Sequence, residues 1–284
     1  MTKRDWWVRS AAWLAVAIAV LWPASIHLGS VLVGHPDVDV WNHAWGYWFI
    51  PRSITDLSSP LWTGWVGAPD GGAIFFIDFV GALLGTPISW LFGPAVAYNG
   101  VMLLRVAAAG LAAHVLSDEW TGRGVHGWVA GVAYACAPFL LCEVGNGISE
   151  VASIHWVAWV LWAAERVRKD PTARNWRILG LFLGLCAAAN FYFGLVAGLM
   201  VGIVAVIDLC DAWRRGERPS ATFVRVLGSA VGIAALVSLP IWIAFRWTLS
   251  SDAALIVRPT ALAEGWMLAH NAVDPRTYIW PGHF

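Results

Sequence analysis

Hydrophobic positions in this chain fall in long uninterrupted runs. They show neither the alternation of a half-buried strand nor the stripe of a surface helix. The first run, 10–33, follows Lys3, Arg4 and Arg9. A secretory signal has a shorter apolar core, about 7–15 residues. Cleavage near Ala24 is the alternative, but the length favours an anchor that stays. About 20 apolar residues cross a bilayer, and the basic flank sets the N-terminus in the cytoplasm. The segment 35–78 is mixed, with Asp37, Asp39, Asp56, Asp70 and Asp78 against one cation, Arg52. It is expected outside. Uncharged residues resume at 79–104, break at Gly93-Pro94, and continue past Arg105 to 116. Further runs are 127–141, 151–164, 178–207 and 226–245. The run 178–207 is too long for one span and is divided at Asn190-Phe191-Tyr192-Phe193-Gly194.

Charge decides how the runs cross. If 79–92 does not span, the basic clusters at 166–177 and 214–225 both fall inside. If it spans, both fall outside, against the positive-inside rule. The short segment 79–92, with Pro87 inside it, is therefore expected to lie at the interface or re-enter. Seven spans follow, near 10–33, 96–117, 127–143, 151–167, 177–190, 193–212 and 222–245. The expected fold class is all-α: a polytopic transmembrane helix bundle, one domain over 1–284, with amphipathic helices in an outer loop 34–95. An outer tail, 246–284, ends abruptly at Trp280-Pro281-Gly282-His283-Phe284 and is expected to belong to a truncated chain. Glycines four apart (Gly127/Gly131, Gly180/Gly184, Gly194/Gly198/Gly202, Gly228/Gly232) are expected to let helix backbones approach closely.

Composition supports the membrane reading. Of 284 residues, 59% are hydrophobic and 13% charged, and 21 are Trp. Soluble domains carry about 25% charged residues, and Trp gathers at membrane interfaces. Disorder is excluded by hydrophobicity. A nucleic-acid binder is excluded by the balance of 18 Lys+Arg and 18 Asp+Glu. That neutrality conceals segregation: under the seven-span reading the inner face is net positive and the outer face net negative. Cys136, Cys142, Cys186 and Cys210 show no metal spacing and read as small buried hydrophobes. There is no phosphate loop, GxSxG or HExxH, which argues against an ATPase or a serine hydrolase.

Candidate chemistry lies in the outer segments. Asp37 and Asp39 sit just beyond the first span. Asp39 and His43, four apart, share a helical face and could hold a divalent metal or a general base. The plainer reading makes Asp39 the N-cap of an amphipathic helix 40–50. Pro69-Asp70-Gly71-Gly72 reads as a turn. Asp78, in an aromatic stretch, is either functional or the N-cap of helix 79–92. Glu150, in the loop holding Gly145-Asn146-Gly147, is either functional or a cap for helix 151–167 with Ser149 as helper. His155 faces the same end. Arg52, Arg246, Arg258 and Arg276 are outer cations that suit a phosphate or simply anchor at the interface. Arg105, inside a span, should pair with an acid or a carbonyl.

In this order of features the chain resembles the C-type (GT-C fold) glycosyltransferases, integral membrane enzymes that use polyprenyl-phosphate-linked sugars. It is most similar to a bacterial subset related to the mannosyl- and arabinosyltransferases. The residues carrying the likeness are Asp39…Trp41…His43…Trp45, Ala68-Pro69-Asp70-Gly71-Gly72, Phe92-Gly93-Pro94 with Ala97-Tyr98-Asn99, Ala130–Ala135 with Pro138, Gly145-Asn146-Gly147, and the 190–194 phrase. They cover roughly 10–215. The resemblance implies a catalytic first-loop aspartate at Asp39, with Asp37 as rival, and a second acid at Glu150 or Asp78. It implies inverting transfer of a sugar to a lipid, glycan or protein acceptor at the outer face of the bacterial cytoplasmic membrane. Arg52, His43, Asn146, Arg246 and Arg258 are the expected substrate- or phosphate-binding residues. Asp39 and His43 would ligate Mg2+ or Mn2+ if a metal is used. The rival readings are a lipid or solute transporter and a non-catalytic assembly subunit. Acids that converge at one end of the bundle favour the enzyme; ionisable groups that meet at the midplane favour transport.

Overall fold

The computed structural model describes residues 3–66, 71–73, 78–216 and 221–250, and these are mostly helical. In chain order the helices are α1 (Lys3–Val20), α2 (Val40–Thr55), α3 (Phe79–Phe92), α4 (Pro94–Thr121), α5 (Val125–Ala135), α6 (Pro138–Asn146), α7 (His155–Lys169), α8 (Ala173–Ala189), α9 (Phe191–Arg214) and α10 (Ala221–Ser250). A short antiparallel pairing joins Trp62 to Ala73 and Thr63 to Gly72. Gly71, at φ +73°, lies in the expected turn, whose Pro69 and Asp70 are outside the described residues.

Helix boundaries follow local chemistry. Pro94 and Pro138 each occupy the first turn of a helix, where a missing N–H costs nothing. Pro138 thereby divides one apolar run into α5 and α6. Asn190 divides another: it leaves helical geometry and accepts the Phe193 amide at 3.2 Å as the N-cap of α9. The expected first span is corrected. Helix α1 stops at Val20, and 21–39 contains turns and the 3-10 segment Ala24–Ile26. Pro23 is the physical reason, since it has no amide to donate and its ring crowds the preceding turn.

Four helical segments are long and apolar enough to cross a membrane: Pro94–Thr121, Val125–Asn146, Phe191–Arg214 and Leu227–Ala244. They mark the chain as a membrane protein. Helix α4 is the central one. Two thirds of its apolar window is buried, against about a tenth for α9 and α10, and it touches α1, α2, α3, α5 and α7. The apolar faces left bare on α9 and α10 are what lipid would cover.

Trp13 seals α1 to α4 and α5. It is 1% exposed, and its indole fills the space beside Gly110 and Gly131. Its Nε1 donates to His114 Nδ1 at 3.2 Å. On the other flank, Gly180 and Gly184 of α8 abut the backbone of Ala230 and Ala234 in α10. By contrast Gly228 and Gly232 face open space, so the small-residue spacing marks packing at some repeats and not at others.

This difference is testable. A methyl at residue 131 would drive into the Trp13 ring, and overpacking costs about 1–3 kcal/mol. Gly131→Ala is expected to destabilise the detergent-solubilised protein by that amount in thermal or denaturant unfolding. Gly232→Ala is expected to be neutral or slightly stabilising, because Ala is the better helix former. Equal effects would show that the Trp13 seal is not tight.

Candidate functional site

The site forms where α2, α3 and α4 meet the loop between α6 and α7. That loop and the 21–39 segment are pinned to α4 by two adjacent residues. The Asn99 amide donates to the Leu28 carbonyl at 2.7 Å and the Val31 carbonyl at 2.6 Å, while its Oδ1 accepts the Val33 amide at 2.8 Å. The Tyr98 hydroxyl lies 2.8 Å from the Val33 carbonyl and 3.0 Å from the Gly147 carbonyl. Gly147, at φ +79°, ends α6 in the left-handed region. A side chain there would strike Val40, so glycine is needed for both reasons.

Helix α2 buries Val40, His43, Gly46, Tyr47 and Ile50 on one face, the spacing of an amphipathic helix. His43 and Tyr47 are the polar members of that face, and each meets a carboxylate. The Tyr47 hydroxyl donates to Asp78 Oδ2 at 2.8 Å. His43 Nε2 lies 3.0 Å from Glu150 Oε2.

Asp78 is fully enclosed. It accepts the Gly81 amide at 3.0 Å as the N-cap of α3 and pairs with Arg105 at 2.7 Å, the two side chains being 0% and 4% exposed. Arg105 also donates to the Ser149 carbonyl. It therefore takes both partners left open by the sequence, an acid and a carbonyl. Burial by itself would raise the Asp78 carboxyl; the Arg105 guanidinium, the Tyr47 hydroxyl and the Gly81 amide more than offset it and hold it below its ordinary range. Burial, and after it the Asp78 charge, push the Tyr47 hydroxyl well above its usual value, so it stays a donor.

Glu150 is in the opposite situation. It occupies the N-cap position of a 3-10 turn, Val151–Ser153, but its side chain caps nothing. Burial first, and the Asp78 charge second, push its carboxyl up to about 7. Burial lowers His43, against the pull of Asp78 and Asp39. The Glu150 side chain is 30% exposed, which keeps a path to solvent. His43 Nδ1 and His155 Nδ1 are buried without hydrogen-bond partners, capacity that a bound molecule would satisfy.

Asp39 stands at the rim. It precedes α2, is exposed, and makes no capping bond with its side chain; the Asn42 amide lies 3.5 Å from its Oδ1. It acts electrostatically on both His43 and Glu150. So of the three acids for which capping was the plainer reading, Asp78 caps a helix with its side chain, and Asp39 and Glu150 do not. An open groove of about 430 Å³ borders the rim, lined by Gly29, Leu32, Pro36, Val40, Trp41 and Ala95.

Other expected residues lie elsewhere. Asp37 is exposed, its carboxylate 3.9 Å from His35. Asn146 turns back to Cys142 on its own helix, 3.6 Å away. Arg52 pairs with Asp56 at 3.2 Å and lies over the Trp48 ring. Nine residues beyond His43, it is about 14 Å further along α2. Arg246 is exposed on α10, a helix that packs against α8. Arg258 and Arg276 are outside the described residues. Tyr47 was not singled out from sequence, although its spacing four after His43 put it on the same face.

The two residues named as metal ligands, Asp39 and His43, are not drawn together by any contact between them. Asp78 is spent on Arg105, His43 is turned to Glu150, and Asp39 is solvent-exposed. Among the described residues no three His, Cys, Asp or Glu side chains are gathered as ligands.

No family model, no curated protein and no solved structure matches this chain.

The Asp78–Arg105 pair yields a prediction. Removing one member of a buried pair strands the other and costs about 3–5 kcal/mol. Asp78→Asn and Arg105→Gln are each expected to destabilise by that order, and the double variant by clearly less than the sum. The depressed Asp78 carboxyl also sets a sign with pH. Its contribution is complete above the ordinary carboxylate range and is lost as pH falls through the lowered value. Denaturant unfolding of the four proteins checks this; additive losses would mean that the pair is not a unit.

Proposed function

We propose that this chain is a membrane glycosyltransferase that moves a sugar from a polyprenyl-phosphate donor to an acceptor hydroxyl, with Glu150 as base and Asp39 orienting the acceptor. The observation that carries the reading is the convergence of Asp39, His43, Glu150 and Asp78 toward one end of the bundle. The C-type likeness supports it. So does the adjoining groove, whose apolar lining suits a lipid-linked substrate. In this reading α1, α7 and α8 also cross the membrane, giving about seven spans, and the site faces outward from a bacterial inner membrane.

The reaction is a single displacement. The acceptor oxygen attacks the anomeric carbon as the bond from that carbon to the phosphate oxygen breaks. The bonding pair leaves with the polyprenyl phosphate. The acceptor proton passes to the Glu150 carboxylate, which is held by His43 at 3.0 Å and returns the proton to solvent through its own exposed part. The configuration inverts. Asp78 takes no proton: its charge is held by Arg105, and its role is to fix Tyr47 and α3 in place. Arg105 is too enclosed to meet the leaving phosphate, so that task falls to an outer cation such as Arg246 or Arg258.

A base works only when ionised, so activity should rise with pH through about 7, the value to which Glu150 is pushed. Membranes bearing the full chain are assayed with a panel of polyprenyl-phosphate sugars. Glu150→Gln is expected to lower turnover by about 10²–10⁴-fold and to abolish the rise near 7. Asp39→Asn is expected to abolish transfer with protein level and folding intact. Near-normal transfer by either variant removes that residue from its role. Absence of transfer from every donor, with a solute gradient dissipated or built instead, would replace the enzyme reading by the transporter.

A further inference from the structure

At the far end of α4 a second polar region opens between α1, α4, α7 and α8. Arg105 and Asp118 are thirteen residues apart on α4, about 20 Å along its axis, so this region is separate from the acid site. It is a cavity of about 450 Å³, lined by Arg9, Arg123, Arg166 and Arg174 together with Trp6 and Trp162. Four guanidinium groups thus converge from four successive parts of the chain.

Two of the four are already matched. Arg9 pairs with Asp118 at 2.5 Å, and Arg123 with Asp5 at 3.2 Å. The remaining acid of the lining, Glu119, pairs with Lys169 at 3.4 Å. No ion pair is recorded for Arg166 or Arg174 among the described residues, and both are exposed. The Arg166 guanidinium rests over the Trp162 ring at 5.8 Å, which holds its fork in place. Arg174 is in the first turn of α8, behind the Thr172 N-cap, where unpaired amides and the helix dipole add positive potential. The acids of the cavity are consumed, and two cations and a helix N-terminus remain.

We propose that this cavity binds a phosphate group, that of an anionic lipid of the inner leaflet or of a free phosphate ester. Guanidinium forks match phosphate oxygens bidentately, and basic hollows between membrane helices on the cytoplasmic side suit anionic headgroups. Trp6, Trp162 and Ile178 give the cavity an apolar floor, fitted to the glycerol and upper acyl portion of a lipid. This site does not rest on the glycosyltransferase reading and stands if that reading fails.

The test uses the full chain in neutral detergent, titrated with phosphatidylglycerol, phosphatidylcholine and glycerol 3-phosphate. Binding is read by native mass spectrometry and by the thermal midpoint. Phosphatidylglycerol is expected to bind and raise the midpoint, and phosphatidylcholine to do neither. The double variant Arg166→Gln/Arg174→Gln is expected to bind roughly thirtyfold more weakly. Arg166→Lys/Arg174→Lys, which keeps the charge, is expected to retain much of the affinity. Arg4→Gln/Arg214→Gln removes equal charge outside the cavity and should change nothing. Glycerol 3-phosphate binding as tightly as the lipid would support the phosphate site and assign it to a soluble ester. Equal binding of phosphatidylcholine, or no loss in the Gln pair, would overturn the proposal. The comparison of lipids on the unaltered protein decides the matter even if a variant fails to fold.

Discussion

The Asp78–Arg105 ion pair is the constraint on which the site depends. A lone charge in an apolar interior costs several kcal/mol, so neither residue can be accommodated without the other. Their union at 2.7 Å fixes the start of α3 against the middle of α4. Polar atoms nearby complete the shell: the Gly81 amide and Tyr47 hydroxyl on the acid, the Ser149 carbonyl on the base. Even the absence of a side chain at residue 81 is part of it. A methyl there would collide with Asp78, Tyr47 and Arg105 together, so glycine is required for close approach.

From that shell follows the division between two nearby carboxylates. Asp78 has a cation, a hydroxyl and an amide, and is held ionised. Glu150 shares its surroundings but not its partners, and the fixed charge of Asp78 works against its ionisation. Environments that push two carboxyls apart are how acid and base roles are separated in enzyme sites. Here burial, and after it the charge of Asp78, sets Glu150 apart from Asp78. Tying the Ser149 carbonyl to Arg105 also holds the residue next to Glu150, so geometry and electrostatics have one source.

Much of this was legible in the sequence, and its failures have physical causes. The helix 79–92 was bounded correctly because Asp78 and Gly93-Pro94 are strong local signals. So was the break at Asn190. The first span was overextended because hydropathy does not register Pro23 or the need of 21–39 for outside hydrogen bonds, which Tyr98 and Asn99 supply from α4. The candidate acids were found because charge in an apolar context is conspicuous. Their roles could not be ranked, because what separates Asp78 from Glu150 is a guanidinium from another helix. Arg52 is among the expected site cations as the one cation of the segment 35–78. Helical rise carries it away from His43, while Arg105, distant in sequence, arrives beside Asp78.

The formal charge of zero takes on structural meaning along α4. Around Arg105, in its first half, stand Asp78, Tyr47 and the Ser149 carbonyl, with Glu150 and Asp39 beyond, and acids outnumber cations. At its C-terminal end, Arg9, Arg123, Arg166, Lys169 and Arg174 face Asp5, Asp118, Glu119 and Glu165. One helix thus separates two regions of opposite excess by about 20 Å. Each acidic or basic surplus is what remains after the buried or close pairs are subtracted. In the first region the surplus leaves Glu150, faced by His43 and not by a guanidinium; in the second it leaves Arg166 and Arg174, with no acid partner among the described residues. Neutrality of the whole chain is therefore compatible with strong polarity of its two ends, and that polarity is what orients such a helix across a bilayer.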